Sequence, residues 1–131
     1  MHARLSREIA NAAETSGGVE DKARAIVGAY VRIADEDWTL FSYHLLTCLR
    51  FPSYGQSAPS AQDAPASIIE TIIADAMHKG ELPAGEPAAK AAAALGVVLQ
   101  TALHKMHGRV ESPLARHEDS LARAFIAVLK S

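Results

Sequence analysis

The residues best suited to chemistry are two pairs that include histidine. His44 and Cys48 stand four positions apart, and His104 and His107 three apart, so on a helix each pair would project from one face and offer two donors to a metal ion. Structural zinc takes four ligands and catalytic zinc three, and neither pair has a third ligand nearby in sequence. No metal site and no cofactor are expected. His107, with Lys105, is read instead as positive charge near a helix C-terminus, just before the stop at Gly108. Cys48 is read as a small buried hydrophobe. The acidic groups Asp35 to Asp37 and Glu118 with Asp119 fall at helix starts or among basic residues. There carboxylates complement the helix dipole, and Asp37 or Ser112 would serve as caps. No glycine-rich phosphate loop and no serine elbow occurs, so the chain is not expected to be an enzyme.

Composition narrows the class further. A chain of 131 residues makes one domain with one modest core. A net charge of −2 and a pI near 6.3 give no basic surface for unassisted binding to nucleic acid or an anionic membrane. The single cysteine forbids an internal disulfide and suits a reducing cytoplasm. The first residues, MHARLSREIANAAETSGG, lack the basic-then-apolar pattern of a signal peptide, and no apolar run approaches the roughly 20 residues of a membrane span. A cytoplasmic domain is expected.

Every element that would position these groups has helical periodicity. Ala23, Ile26, Val27, Tyr30 and Ile33 recur at helical spacing, as do Trp38, Phe41, Leu45 and Leu49. Ser67, with Glu70 three residues on, forms a capping-box pattern ahead of Ile68, Ile69, Ile72, Ile73, Ala76 and Met77. The breaks are Gly17 and Gly18, the acidic run 35–37, the irregular stretch 52–67, and the loops KGELPAGEP and GRVESP. An all-α, bundle-like domain of six helices follows, near 2–15, 19–34, 37–51, 66–79, 86–107 and 113–130.

The alanine-rich fifth helix is the most unusual of these. Ala88, Ala92, Leu95, Leu99, Ala102 and Met106 are spaced 4, 3, 4, 3, 4, the seam along which bundle helices lie. Ala91, Ala94, Val98 and Thr101 form a second, nearly apolar set. The last helix also carries two stripes, one through Leu114, Leu121, Phe125 and Val128 and the other through Ala122, Ile126 and Leu129. A helix apolar nearly all round must be covered nearly all round, and five neighbours are too few to cover both of the last two helices. A partner is expected to meet them.

In order of elements, the segment from ADAMHKGELPAGEPAAKAAAALGVVLQTALHKMHG through SPLARHEDSLARAFIAVLKS resembles the end of TetR-family (tetracycline-repressor-like) transcriptional regulators. There a helix closes in Gly, a Pro-containing turn follows, and a long small-residue helix ending in Gly precedes a last amphipathic helix. The earlier EDKARAIVGAYVRIADEDWTLFSYHLLTCL is similar to that family's middle helices. No N-terminal helix-turn-helix unit is recognisable, so the resemblance implies the effector-binding and dimerisation domain, with DNA reached only through a part not in this chain. It implies a homodimer in which residues 86–107 and 113–130 of two subunits form a four-helix bundle. The interface would hold Ala88, Ala91, Ala92, Leu95, Val98, Leu99, Ala102, Leu121, Phe125, Ile126 and Leu129. It also implies a small-molecule effector among the middle helices, where aromatic and polar groups occur together at Tyr30, Trp38, Phe41, His44, Leu45, Cys48, Met77 and His104. Those same aromatics suit a plain core, with Trp38 anchoring the start of its helix. Two other readings stay open: a free-standing helical protein-interaction module, and a small-molecule carrier or enzyme using His44 and His104.

Overall fold

The computed structural model describes residues 2–50, 65–111 and 113–131, residues 2 and 47–50 through their backbone alone. Six α-helices follow in chain order: α1 His2–Ala13, α2 Val19–Glu36, α3 Trp38–Arg50, α4 Pro65–His78, α5 Pro87–Met106 and α6 Glu118–Lys130. A short 3-10 turn, Leu114–His117, leads into α6. Among the described residues there is no strand, and the chain is an all-α, bundle-like domain, as the periodicity indicates.

Helix ends are fixed by identifiable groups. Gly80 and Gly108 adopt φ of +81° and +74°, the left-handed region that glycine enters without steric cost. At the first, the Glu81 N–H donates to Ala76 O at 2.8 Å and the Gly80 N–H to Met77 O at 3.2 Å. At the second, the Arg109 and Gly108 N–H groups donate to His104 O and Lys105 O at 2.9 and 3.0 Å. Both are the paired 6→1 and 5→2 closures that satisfy the last carbonyls of a helix. Pro87 opens α5, where its missing N–H is one the helix would have left unpaired in any case.

Three boundaries differ from expectation. The acidic run does not break the chain at Asp35: α2 continues through Glu36, and only Asp37 leaves helical backbone. Asp37 Oδ1 then accepts from the Leu40 N–H at 3.2 Å and caps α3. Ser67 is not a cap, because α4 already begins at Pro65 and leaves Ser67 inside its first turn. The final helix is not continuous from 113 either, since Asp35 draws in the amides of Leu114 and Ala115 and the chain enters α6 through the 3-10 turn. Ser112 and residues 52–64 lie outside the described residues.

The hub is α2, which packs against every other helix. Nine of its residues are buried, among them Ile26, Val27, Tyr30, Val31 and Ile33. The helix makes these contacts from one broad apolar face while Glu20, Asp21, Arg24 and Arg32 stay exposed on the other, so every other helix can bury its apolar side against it. Around it, α1 contributes Leu5 and Ile9, α3 contributes Phe41 and Leu45, α4 contributes Ile69 and Ile73, and α6 contributes Phe125 and Leu129.

Candidate functional site

Of the residues expected to line a ligand pocket, Tyr30, Phe41 and Leu45 are core side chains with 1–4% exposure. Trp38 is half-buried and stacks on Phe41, with ring centroids 6.1 Å apart and planes at 24°. Lys105 Nζ, from the last turn of α5, lies 4.1 Å from the centroid of the Trp38 ring. That ammonium is also 3.9 Å from Asp35 Oδ1, and the Lys105 side chain is only 8% exposed. Asp35 in turn accepts from the Leu114 N–H at 2.8 Å and the Ala115 N–H at 2.9 Å. A cation over an indole face, paired with a carboxylate that caps a turn, fastens the end of α2, the start of α3, the end of α5 and the approach to α6 to one another. Trp38 thus packs between Phe41 and the Lys105 ammonium at the start of α3.

His44, Met77 and His104 are half-buried on three different helices, and Met77 Cε reaches the 79–86 loop, 3.6 Å from where a Cβ on Gly85 would stand. The Cys48 side chain lies outside the described residues. None of the other seven lines any of the three clefts described among the helices. Among the described residues, no three His, Cys, Asp or Glu side chains converge as a metal ion would require.

The most enclosed of those clefts opens between α4 and the junction of α1 with α2, with a volume of about 350 Å³. Ala13, Val19, Ile68, Ile72 and Ala76 supply aliphatic surface, and Thr71, Lys22, Lys79, Asp75 and Glu81 the polar groups. Two of these charges are held by backbone. Lys22 Nζ donates to Ala13 O at 2.9 Å and to Thr15 O at 2.7 Å, closing the C-terminus of α1. Glu81 Oε2 accepts from the Val19 N–H at 3.0 Å, capping α2 from 62 residues away. Sequence reasoning missed this site because Gly18 precedes α2 without any side-chain cap, and nothing local points to Glu81 as the substitute.

The α5 and α6 pair corrects the expected interface. Ala91, Leu95, Val98 and Ala102 of α5 and Leu121, Phe125, Ile126 and Leu129 of α6 are buried within the single chain. The premise that one chain cannot cover both stripes of α6 fails, because α6 is wedged between α2 and α5 and both stripes turn inward. The spacing-based seam likewise splits: Leu95 and Ala102 are buried, Leu99 and Met106 half-buried, and Ala88 and Ala92 exposed. The inward face of α5 runs instead through Ala91, Ala94, Val98 and Ala102.

What faces out is unusually plain. Successive residues of α5 at Ala88, Ala89, Ala92, Ala93 and Gln100 are exposed, with Gly96, Leu99 and Leu103 half-buried beside them. The helix carries only two charges that could interrupt this surface, and both turn away: Lys90 Nζ donates to Ser131 O at 2.7 Å, and Lys105 is buried against Trp38. A Cβ placed on Gly96, midway along the face, would meet nothing within 4 Å. On α6 the charged flank is tied to α2, through Asp119 with Arg24 and Lys130 with Glu20. Beside it Ser120, Ala124 and Ala127 are exposed and uncharged, next to Arg123, which pairs with Asp119 at 3.1 Å. Lys130 Nζ is 2.5 Å from Glu20 Oε2, and that hydrogen bond, reinforced by the charge, lowers the Glu20 pKa below the ordinary carboxylate value. Among the described residues no helix is long and apolar enough to cross a membrane. No family model, curated protein or solved structure matches the chain.

Proposed function

We propose that the chain is the effector-sensing and dimerisation domain of a TetR-like transcriptional repressor, acting in the cytoplasm as a homodimer joined through α5 and α6. The observation that carries this reading is the outward surface of those helices: small, nearly uncharged side chains over the length of α5, with both of its lysines committed elsewhere. A solvated helix ordinarily carries charge on its outer face. Here the interface is assigned to Ala88, Ala92, Gly96, Leu99 and Leu103 with Ser120, Ala124 and Ala127, keeping Ala88, Ala92 and Leu99 from the expected set and replacing the rest. Small residues let two backbones approach closely, which suits a four-helix arrangement of two α5 and two α6.

In the whole regulator, DNA contact would belong to a separate unit, and a small apolar effector would relieve DNA binding by favouring one placement of the two subunits. The role of this domain is binding rather than catalysis. The Lys105, Trp38 and Asp35 fastening supports the coupling, since it joins the dimerising helices to α2 and α3. Cross-linking with a bismaleimide tests the pairing face by face in a Cys48→Ser background. Ala92→Cys gives a covalent dimer, and Ala91→Cys, on the buried side one residue away, does not. Equal cross-linking at both positions, or at neither, removes the assignment.

A further inference from the structure

The cleft between α4 and the α1–α2 junction has a chemistry that the proposed role does not require and that no expected pocket residue supplies. Its floor is aliphatic, with Val19, Ile68 and Ile72 and no aromatic ring. Its rim is charge-balanced: two ammonium groups, Lys22 and Lys79, and two carboxylates, Asp75 and Glu81. A ligand with one charge would gain one pair of these and face the repulsion and desolvation of the other. A zwitterion satisfies both.

We infer that this cleft binds a free aliphatic amino acid, with the ligand carboxylate toward Lys22 and Lys79, the ligand ammonium toward Glu81 and Asp75, and the side chain over Ile68 and Ile72. Two of the four charges, Lys22 and Glu81, are preorganised. Lys22 is held by the carbonyls of Ala13 and Thr15, which occupy two of its three N–H donors and leave one for a carboxylate. Glu81 is held through Oε2 by the Val19 N–H, which leaves Oε1 for an ammonium. Side chains already ordered by the fold lose little further rotamer freedom on binding, so the interaction is not spent on ordering them. Asp75 on α4 and Lys79 just past its end are exposed and supply the second carboxylate and the second ammonium. The volume, about 350 Å³, lies at the small end of ligand sites and admits an amino acid with room for water. The absence of aromatic lining selects against flat rings and for branched alkyl groups. This assignment rests on the sensing role only for its consequence in the whole regulator, where the effector would then be a zwitterion with an apolar side chain in place of a wholly apolar molecule.

Isothermal titration of the full chain with L-leucine tests it, alongside three analogues: N-acetyl-leucine and leucinamide, each lacking one charge, and phenylalanine. Leucine is expected to bind saturably and about tenfold or more tighter than either single-charge analogue, with phenylalanine weaker than leucine. Glu81→Gln keeps an acceptor for the Val19 N–H while removing the charge, and Lys79→Gln alters an exposed side chain; each should weaken leucine binding by roughly fivefold or more with the urea midpoint little changed. No saturable heat with leucine up to roughly 10 mM, or equal binding of leucine and a single-charge analogue, overturns the assignment. Because titration reads binding to monomer and dimer alike, its failure leaves the cross-linking result untouched, and failure of the dimer leaves the titration untouched.

Discussion

The two faces of the α5–α6 pair differ in burial and in what they can meet. Inward, large side chains fill the core: Phe125 and Val98 are at most 1% exposed, and Leu129 only 3%. Outward, α6 shows Ser120, Ala124 and Ala127 beside Arg123, and α5 shows alanine and glycine with Gln100 exposed and Leu99 and Leu103 half-buried among them. Inward-facing bulk gives transfer energy and specifies one packing, whereas outward-facing smallness contributes almost nothing to the single chain. The contrast teaches that total apolarity, which is high on both helices, does not say which side meets a partner. Burial does: Leu95, Val98, Phe125 and Leu129 are enclosed inside the monomer, and the uncharged residues left outside, small ones together with Leu99 and Leu103, are those available.

Substitutions that separate the two faces make the contrast breakable. The largest effect is expected at Phe125→Ala, which empties a fully enclosed site and should cost about 3–5 kcal/mol by urea denaturation. If Phe125 were an interface residue, dilute monomer would instead keep its stability. Asp35→Ala comes next, because it leaves two amide donors of the 114–117 turn and the Lys105 ammonium without their partner. A loss of about 2–3 kcal/mol and a changed Trp38 emission are expected, Trp38 being the single tryptophan of the chain. An unaltered emission would show that the fastening does not depend on Asp35.

Gly96→Ala has opposite signs on the two sides of the comparison. Within one chain the new methyl meets nothing, so helix propensity should raise monomer stability by about 0.5–1 kcal/mol. Against a second α5 it intrudes, so the dimer should dissociate more readily, as sedimentation at several concentrations would show. Stabilisation without any change in association would place the contact elsewhere on α5.

The smallest effect concerns pH. The Glu20 pKa is lowered chiefly by its hydrogen bond with Lys130, so the folded state holds the proton less tightly than the unfolded chain does. Its contribution is therefore present above the ordinary carboxylate pKa and lost as pH falls through the lowered one. Glu20→Gln should remove a slight acid-side fall in Tm below the ordinary carboxylate range and leave neutral pH nearly unchanged, since the group is exposed.

Much of the fold was legible because it rests on local signals. The helices around Ala23–Ile33 and Ile68–Ala76, the stop at Gly108 and the start at Pro87 all follow from spacing and cap chemistry that lie within a few residues. What was not legible depends on pairs far apart in the chain. Asp35 reads as part of a helix break, yet its role is to cap a turn 79 residues on. Glu81 reads as loop, yet it caps α2. Trp38, Phe41 and Leu45 have the composition of a ligand pocket and the placement of core, because periodicity marks which residues share a face but not what that face meets. The α5 seam failed for the same reason: its 4, 3 spacing is shared by two adjacent faces of the helix, and only the packing of α2, α4 and α6 selects Ala91, Ala94 and Val98 as the inner one.

The central claim is that the outer face of α5 and α6 is where two copies meet. Sedimentation equilibrium of the wild-type chain beside Ala92→Glu, each at tens of micromolar, tests it directly. A wild-type dimer and a folded, helical Ala92→Glu monomer are predicted, because the exposed site tolerates a charge in one chain but not between two. A wild-type monomer, or an Ala92→Glu chain that dimerises as before, would contradict it.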